Sequence, residues 1–195
     1  MFQYLVFVGA FVQLLGGAFY IKDTVWGQTK PNRVTWFLWM LAPYIGTAAA
    51  IADGVSWAIL PVFMAGFIPM CTLLASFVNK KAYWKLGAFD YVCGAFAFLA
   101  LVLWFITEQP VVGVIFAIIA DGLAALPTIV KAWKYPKTET GAAYATALFG
   151  AATTFFAVQT WAFSEYAFSL YLVCITSVIL FAIYRKRLMP KANPA

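Results

Sequence analysis

One acidic residue, Asp121, stands inside a long apolar run, ten positions before a basic segment that begins at Lys131. Asp121, Ala125 and Thr128 have the spacing i, i+4 and i+7, which places their side chains on one face of a helix. If this helix crosses a bilayer, the charge costs at least about 2.5–3.5 kcal/mol, and such residues usually face a cavity or an ion path. Asp121 is therefore a candidate proton carrier. The alternative is a protonated, hydrogen-bonded packing residue.

Stripes of small and polar residues also occur in three other apolar runs. If each stripe faces inward, together they line a path for a small solute at mid-membrane. The alternative is structural, because glycines let membrane helices approach closely and threonines bond back to carbonyls of their own helix. The candidate pathway residues are Gln13, Gly17, Tyr20, Trp39, Thr47, Asp121, Thr128, Thr146 and Thr153.

Two prolines, Pro43 and Pro127, interrupt apolar runs that are long enough to be helices. A proline inside a helix frees the carbonyl one turn earlier and kinks the helix, which membrane proteins tolerate where neighbours or water satisfy that carbonyl. Both residues are candidate hinges, with a static kink as the alternative.

Several kinds of chemistry are excluded by residues that the sequence lacks or scatters. The chain contains no histidine, which removes Ser–His and Cys–His catalysis together with the commonest metal ligand. Its three cysteines, Cys71, Cys93 and Cys174, lie far apart in apolar sequence, so neither a disulfide framework nor a metal cluster is expected. We expect no catalytic residue, no metal and no cofactor, and therefore a protein that is not an enzyme.

Composition predicts an all-α membrane protein. Apolar residues make up 65% of the 195 positions and charged residues only 10%, whereas soluble domains are about half apolar and about a quarter charged. A helix needs about 20 apolar residues to cross the hydrocarbon core. The runs of suitable length predict seven transmembrane helices, at Phe2–Ile21, Val34–Ala52, Trp57–Val78, Leu86–Ile106, Val111–Val130, Gly141–Trp161 and Tyr166–Tyr184.

The charges predict the orientation of these helices. Every basic residue falls in alternate loops or in the tail, while the opposite loops hold only Asp53, Glu108 and Glu165. By the positive-inside rule the N-terminus is outside and the C-terminus is cytoplasmic. The net charge of +6 is thus a signal of topology, and no nucleic-acid partner is expected. Short loops are typical of a bacterial inner-membrane protein. The basic residues are Lys22, Lys30, Arg33, Lys80, Lys81, Lys85, Lys131, Lys134, Lys137, Arg185, Lys186, Arg187 and Lys191.

A weak internal repeat divides the chain into two halves. A shift of about 109 residues aligns Lys22 with Lys131 and Thr29 with Thr138, so that the first three helices match the last three. When a unit of three helices is repeated directly, the second copy has the opposite orientation in the membrane. One additional helix between the two copies gives them the same orientation. The arrangement predicted is therefore 3+1+3, with two parallel three-helix bundles. Its parts are a first bundle in residues 1–79, a linker helix in 80–109, and a second bundle with a basic tail in 110–195.

The segment from Pro127 to Glu139 resembles the PQ-loop signature, in which a proline–glutamine pair is followed by apolar residues and then a basic, aromatic segment. Thr128 stands in place of the glutamine, and the first repeat has Ala18 in place of the proline. Together with the seven-helix plan, this resembles the PQ-loop and SWEET superfamily of membrane transporters. The resemblance implies alternating-access transport of a small polar solute, with Pro43 and Pro127 similar to the hinge prolines of that fold.

Other functions remain open at this point. A membrane receptor or assembly factor with the same fold could bind a ligand without moving it. A retinal photoreceptor also has seven helices, but it needs a lysine in the last helix, and Tyr166–Tyr184 contains none. The expected partners are a small-molecule solute and the lipid bilayer, and a homo-oligomer is a further possibility. For coupling, we hypothesise that Asp121 takes up a proton on one side and releases it on the other.

Overall fold

The computed structural model describes residues 4–52, 54–55, 57–107 and 109–188. Within these ranges the chain is all-helical, with seven α-helices and no β-strand, so the all-α prediction is confirmed. Asp53, Glu108 and Lys191, which the topology argument used, lie outside the described residues. The helices are α1 (Leu5–Val25), α2 (Arg33–Ala52), α3 (Leu60–Val78), α4 (Ala88–Thr107), α5 (Pro110–Lys134), α6 (Gly141–Thr153) and α7 (Phe163–Leu188).

Four helical segments are long and apolar enough to cross a membrane by length and composition, namely Leu5–Val25, Trp57–Val78, Val111–Lys134 and Phe163–Leu188. The sixth predicted span, Gly141–Trp161, is shorter in the structure. There α6 has 13 residues and continues as a 3₁₀ turn at Thr154–Phe156. At 1.5 Å per residue, α6 alone is about 20 Å long. A hydrocarbon core is about 30 Å thick.

The helix contacts repeat between the two halves of the chain. α3 packs against both α1 and α2, and α7 packs against both α5 and α6. The halves meet where α1 packs on α6 and where α2 packs on α5, while α4 packs on α5 and touches α2. The contact of α1 with α3 corresponds to that of α5 with α7, and the contact of α2 with α3 to that of α6 with α7. The contact of α1 with α6 likewise corresponds to that of α5 with α2, whereas the contacts of α4 have no counterpart.

The contact between α1 and α6 depends on small residues. Gly9 and Gly16 of α1 lie directly against the side chains of Thr153 and Thr146 of α6. Both threonines bond back to their own helix: Thr153 Oγ1 donates to the Gly150 carbonyl at 2.6 Å, and Thr146 Oγ1 lies 3.0 Å from the carbonyls of Ala142 and Ala143. The hydroxyls bond to carbonyls of their own helix, and the threonine side chains, hydroxyl oxygen nearest, occupy the space that a glycine lacking Cβ leaves, which brings the two helices close.

The helix ends at the basic side of the bundle are joined by polar side chains. Asn32 caps α2, because its Oδ1 accepts from the backbone N–H groups of Val34 at 3.1 Å and Thr35 at 3.3 Å. Arg33 donates to the Ser76 carbonyl near the end of α3 at 2.6 Å. Asn79 in turn donates to the Val25 carbonyl at the end of α1 at 2.8 Å. Carbonyls that α1 and α3 leave free are thereby satisfied.

The close approach of α1 and α6 gives a prediction for Gly16→Ala. The added methyl group would overlap the Thr146 side chain, and overpacking of this kind typically costs about 1–3 kcal/mol. We expect the thermal unfolding midpoint of the detergent-purified protein to fall by several degrees. Gly46→Ala is the matched control, because nothing lies within 4 Å of the methyl group that it would add. Equal midpoints for the two variants would contradict the packing described for α1 and α6.

Candidate binding site

A cavity lies at the centre of the bundle, where the two halves of the chain meet. Its volume is about 80 Å³, which is room for several water molecules, since one needs roughly 10–15 Å³ on this measure. Most of its wall is apolar or aromatic, and α1, α2, α3, α5, α6 and α7 all contribute to it. The lining consists of Gln13, Trp36, Trp39, Met64, Ala65, Ile68, Pro69, Asp121, Ala143, Tyr144, Ala147, Leu172, Ile175, Thr176 and Ile179.

Asp121 is the acidic residue in this wall, and its side chain is only 3% exposed. One carboxyl oxygen, Oδ2, accepts a hydrogen bond from the Tyr171 hydroxyl of α7 at 2.8 Å. Trp39 Nε1 of α2 donates to the backbone carbonyl of Asp121 at 3.3 Å. No lysine or arginine among the described residues forms an ion pair with this carboxyl. Asp121 is thus a buried acid with a hydrogen-bond partner but no counter-charge.

Two further polar atoms in the cavity wall have no hydrogen-bond partner. They are Gln13 Oε1, an acceptor, and Trp36 Nε1, a donor, and each residue is only 3% exposed. A buried polar atom without a partner typically costs about 1–3 kcal/mol. Both atoms are fully buried, and Gln13 Oε1 lies against Gly150 of α6.

Aromatic rings surround the cavity on its basic side. The rings of Trp36 and Trp39 meet edge to face with centroids 5.5 Å apart, and Trp39 meets Tyr144 in the same way at 6.4 Å. Tyr20 extends the cluster, because its ring centroid lies 4.7 Å from that of Trp36. Such pairs stabilise a fixed arrangement beyond simple burial of their area, so the aromatic wall is rigid on this side.

A buried ion pair lies beyond these rings, towards the basic end of the bundle. Lys131, in the last turn of α5, forms it with Glu139, which precedes α6. The hydroxyls of Tyr20 and Tyr144 both donate to Glu139 Oε2 at 2.8 Å. Lys131 Nζ also donates to the Lys30 carbonyl at 2.5 Å. This ion-pair network joins α1, α5, α6 and the α1–α2 loop, and it stands between the cavity and the basic end.

The structure places the predicted pathway residues in several different environments. Gln13, Trp39 and Asp121 line the cavity, while Gly17 lies behind its wall against Ile68 and Tyr20 belongs to the ion-pair network. Thr146 and Thr153 lie in the contact between α1 and α6. Thr128 is fully buried outside the cavity lining, with no partner for its hydroxyl. Thr47 lines a separate open groove with Ile51, Trp57 and Phe63.

The two candidate hinges lie within continuous helices that pack on each other, Pro43 in α2 and Pro127 in α5. Next to Pro127, the hydroxyl of Thr35 in α2 donates to the Ala124 carbonyl at 2.8 Å. A side chain of α2 thus supplements the backbone bonding of α5 at its proline turn, as membrane helices with internal proline require. α3 contains an internal proline as well, Pro69, which lines the cavity.

Asp90 lies five residues after Lys85, but no described lysine forms an ion pair with it. Its carboxylate accepts instead from Asn32 Nδ2 at 2.5 Å and from the Gly87 backbone N–H at 2.6 Å. Lys85 is close in sequence, but the buried carboxylate faces α2, and Asn32 is already held there by its capping role. Asp90 therefore fastens the start of α4 to the start of α2.

Three residues of the site were not predicted from the sequence, namely Glu139, Tyr144 and Tyr171. Glu139 pairs with Lys131, Tyr144 donates to Glu139, and Tyr171 donates to Asp121. Glu139 carried a signal, because it is an acid within a segment that otherwise holds only lysine charges. Tyr144 and Tyr171 carried none that distinguishes them from the other tyrosines of apolar runs.

Comparison of the chain with protein-family models, curated proteins and solved structures finds no match. The function is therefore inferred from the geometry and chemistry of the cavity.

The ion-pair network gives a prediction for Glu139→Gln. Both charged side chains are almost completely buried, at 1% exposure for Lys131 and 0% for Glu139. Removing one partner leaves an uncompensated buried charge, which typically costs about 3–5 kcal/mol. We expect a large fall in the thermal unfolding midpoint of the purified protein. The double variant Lys131→Met, Glu139→Gln removes both charges and should recover much of the loss. If Glu139→Gln unfolds at the wild-type temperature, the two side chains are not paired.

Proposed function

We propose that this protein is a membrane transporter that moves a small polar solute by alternating access, coupled to protons through Asp121. The observation that carries the proposal is a buried carboxyl without a counter-charge, in the wall of a cavity shared by the two halves of the chain. Intramembrane ionisable residues that face a cavity commonly mark substrate or proton pathways. Gln13 and Trp36 are further polar residues among those that line the cavity, and a solute site needs a few such groups.

The proposed architecture is a seven-span 3+1+3 arrangement of the PQ-loop and SWEET type, with two parallel bundles. The matching contacts of α1, α2 and α3 with those of α5, α6 and α7 support it. In repeat-built transporters the solute site lies at the interface between the repeats, and access alternates as one bundle rocks against the other. The central cavity, which both groups of helices line, agrees with that mechanism.

In this mechanism the ion-pair network acts as the gate on the basic side. Lys131, Glu139, Tyr20 and Tyr144 connect α1 to α5 and α6, so opening that side requires at least the hydroxyl of Tyr20 to leave Glu139. The bends at Pro43 and Pro127 give α2 and α5 places to flex. The structure described here has the network formed, which corresponds to a state closed on the basic side.

Asp121 couples the solute to protons because its carboxyl has no protein cation to neutralise it. In one access state it takes up a proton through the cavity, and in the other it releases the proton to the opposite side. Tyr171, which donates to Oδ2 at 2.8 Å, positions the carboxyl for this exchange. Gln13 of α1 lines the same cavity, while its unpaired Oε1 lies against Gly150 of α6.

A first experiment tests transport and its coupling. A panel of sugars, amino acids, nucleobases and vitamins is screened by thermal shift, because a ligand of the folded state raises its stability. The solute that gives the largest shift is then followed into proteoliposomes. We expect wild-type uptake to depend on a pH gradient and Asp121→Asn to lose that dependence, since asparagine keeps the size but does not titrate. Gradient-dependent uptake that is unchanged in Asp121→Asn removes the proton-carrier role. Binding without uptake favours a receptor.

A second experiment tests the orientation, with the N-terminus outside and the C-terminus cytoplasmic. Gln28 and Gln159 are exposed residues at opposite ends of the bundle. In a background without the three native cysteines, each is replaced by cysteine and exposed to a membrane-impermeant maleimide in intact spheroplasts. Basic loops stay cytoplasmic, so we expect labelling of Gln159→Cys alone, with Gln28→Cys labelled only after lysis. The reverse pattern would invert the topology.

A further inference from the structure

We infer that the cavity binds a small organic cation, with the Asp121 carboxylate as its counter-charge. This inference deepens the transporter proposal and rests on it for the identification of the cavity as the solute site. It concerns the charge and size of the solute, which the proposal itself leaves open.

The first argument is a comparison of two buried acids. Glu139 has a complete set of partners, because Lys131 neutralises it and two tyrosine hydroxyls donate to it. Asp121 is also buried and is held by two neutral donors, the Tyr171 hydroxyl at its carboxyl and the Trp39 indole at its carbonyl, but no described lysine or arginine pairs with it. An isolated buried charge is costly unless it is paired. Among the described residues, a cation is supplied for Glu139 but not for Asp121.

The second argument comes from the other polar atoms of the wall. The Asp121 carboxylate accepts from the Tyr171 hydroxyl at 2.8 Å, and Gln13 Oε1 is a buried acceptor without a donor that lies against Gly150. Ammonium, amidinium and guanidinium groups each carry several N–H donors around a positive charge. Trp36 Nε1 is an unpaired donor, but it is fully buried. The Asp121 carboxylate is thus the acceptor that a cationic group in the cavity would meet.

The third argument is the aromatic wall. Trp36, Trp39 and Tyr144 line the cavity, and no lysine or arginine belongs to its described lining. Tryptophan and tyrosine faces attract cations, and this attraction is larger where water is excluded. An anionic solute would meet the Asp121 carboxylate with no basic group to offset the repulsion. The wall therefore favours positive over negative charge.

The volume limits the size of the group that is bound. The cavity of about 80 Å³ is smaller than an apolar cavity of about 150 Å³, which holds benzene. The cationic group therefore has only a few non-hydrogen atoms, or it is the head of a solute whose remainder requires the bundle to open. Guanidinium, urea and acetate are suitable probes, since all three are planar, have four non-hydrogen atoms and differ in charge.

The experiment measures the binding of each probe by isothermal titration to the full chain in nanodiscs of neutral phosphatidylcholine. We expect guanidinium to bind at least about tenfold more tightly than urea, because it pairs with a buried carboxylate, and acetate not to bind. Asp121→Asn should remove the preference for guanidinium over urea. Asp90→Asn is the matched control, because Asp90 is a buried acid outside the cavity, and it should keep the preference.

Each outcome decides the inference. Equal binding of guanidinium and urea, absence of guanidinium binding, or an unchanged preference in Asp121→Asn overturns it, and the wild-type comparison alone suffices if that variant fails to fold. Cation binding that depends on Asp121, without flux into proteoliposomes, supports the inference and removes the transport proposal. Flux of a neutral solute, without any preference of the cavity for cations, supports the transport proposal and overturns the cation inference.

Discussion

The buried ion pair between Lys131 and Glu139 fixes the end of the bundle on which the rest of the site is built. Moving two charges out of water costs several kcal/mol each, and their attraction repays this only when further hydrogen bonds satisfy the remaining donors and acceptors. Tyr20, Tyr144 and the Lys30 carbonyl supply those bonds. Because these partners belong to different segments, satisfying the charges also sets the positions of α1, α5 and α6. The aromatic wall of the cavity then packs on that fixed base.

The lysines that align between the two halves of the chain, Lys22 and Lys131, differ in burial and in pairing. Lys22 aligns with Lys131 in the repeat, but it is solvent-accessible, and its Nζ lies 3.9 Å from the carboxylate of its neighbour Asp23. An exposed pair of this kind contributes little to stability. Lys131 is buried and committed to Glu139. The second half therefore contains both the buried ion pair and Asp121, which has no described ion-pair partner, even though the helix contacts of the halves match.

The sequence predicted seven helical segments because long apolar runs are a local signal, although the sixth was predicted to reach Trp161 and α6 ends at Thr153. The predicted span Val34–Ala52 differs from α2 by one residue, and α5 begins at Pro110, one residue before the predicted start. The inward position of Asp121 also followed from a local rule, the cost of a charge in apolar surroundings. The role of Glu139 could not be predicted in this way, since its partner Tyr20 is 119 residues away. Contacts of that range depend on how the helices pack.

The position of Asp121 and Lys131 on one helix links the cavity to the gate. Ten residues separate them, which is about 15 Å along an α-helix, and Pro127 lies between them. A change of bend at Pro127 would therefore move the gate lysine relative to the cavity carboxyl without breaking either half of α5. One carboxylate accommodates one positive charge, whether that charge is a proton or part of a solute, so occupation by one excludes the other. In the proposed transporter, exchange of the two across the membrane would then require no second acidic residue, because a proton and a cationic solute would compete for Asp121.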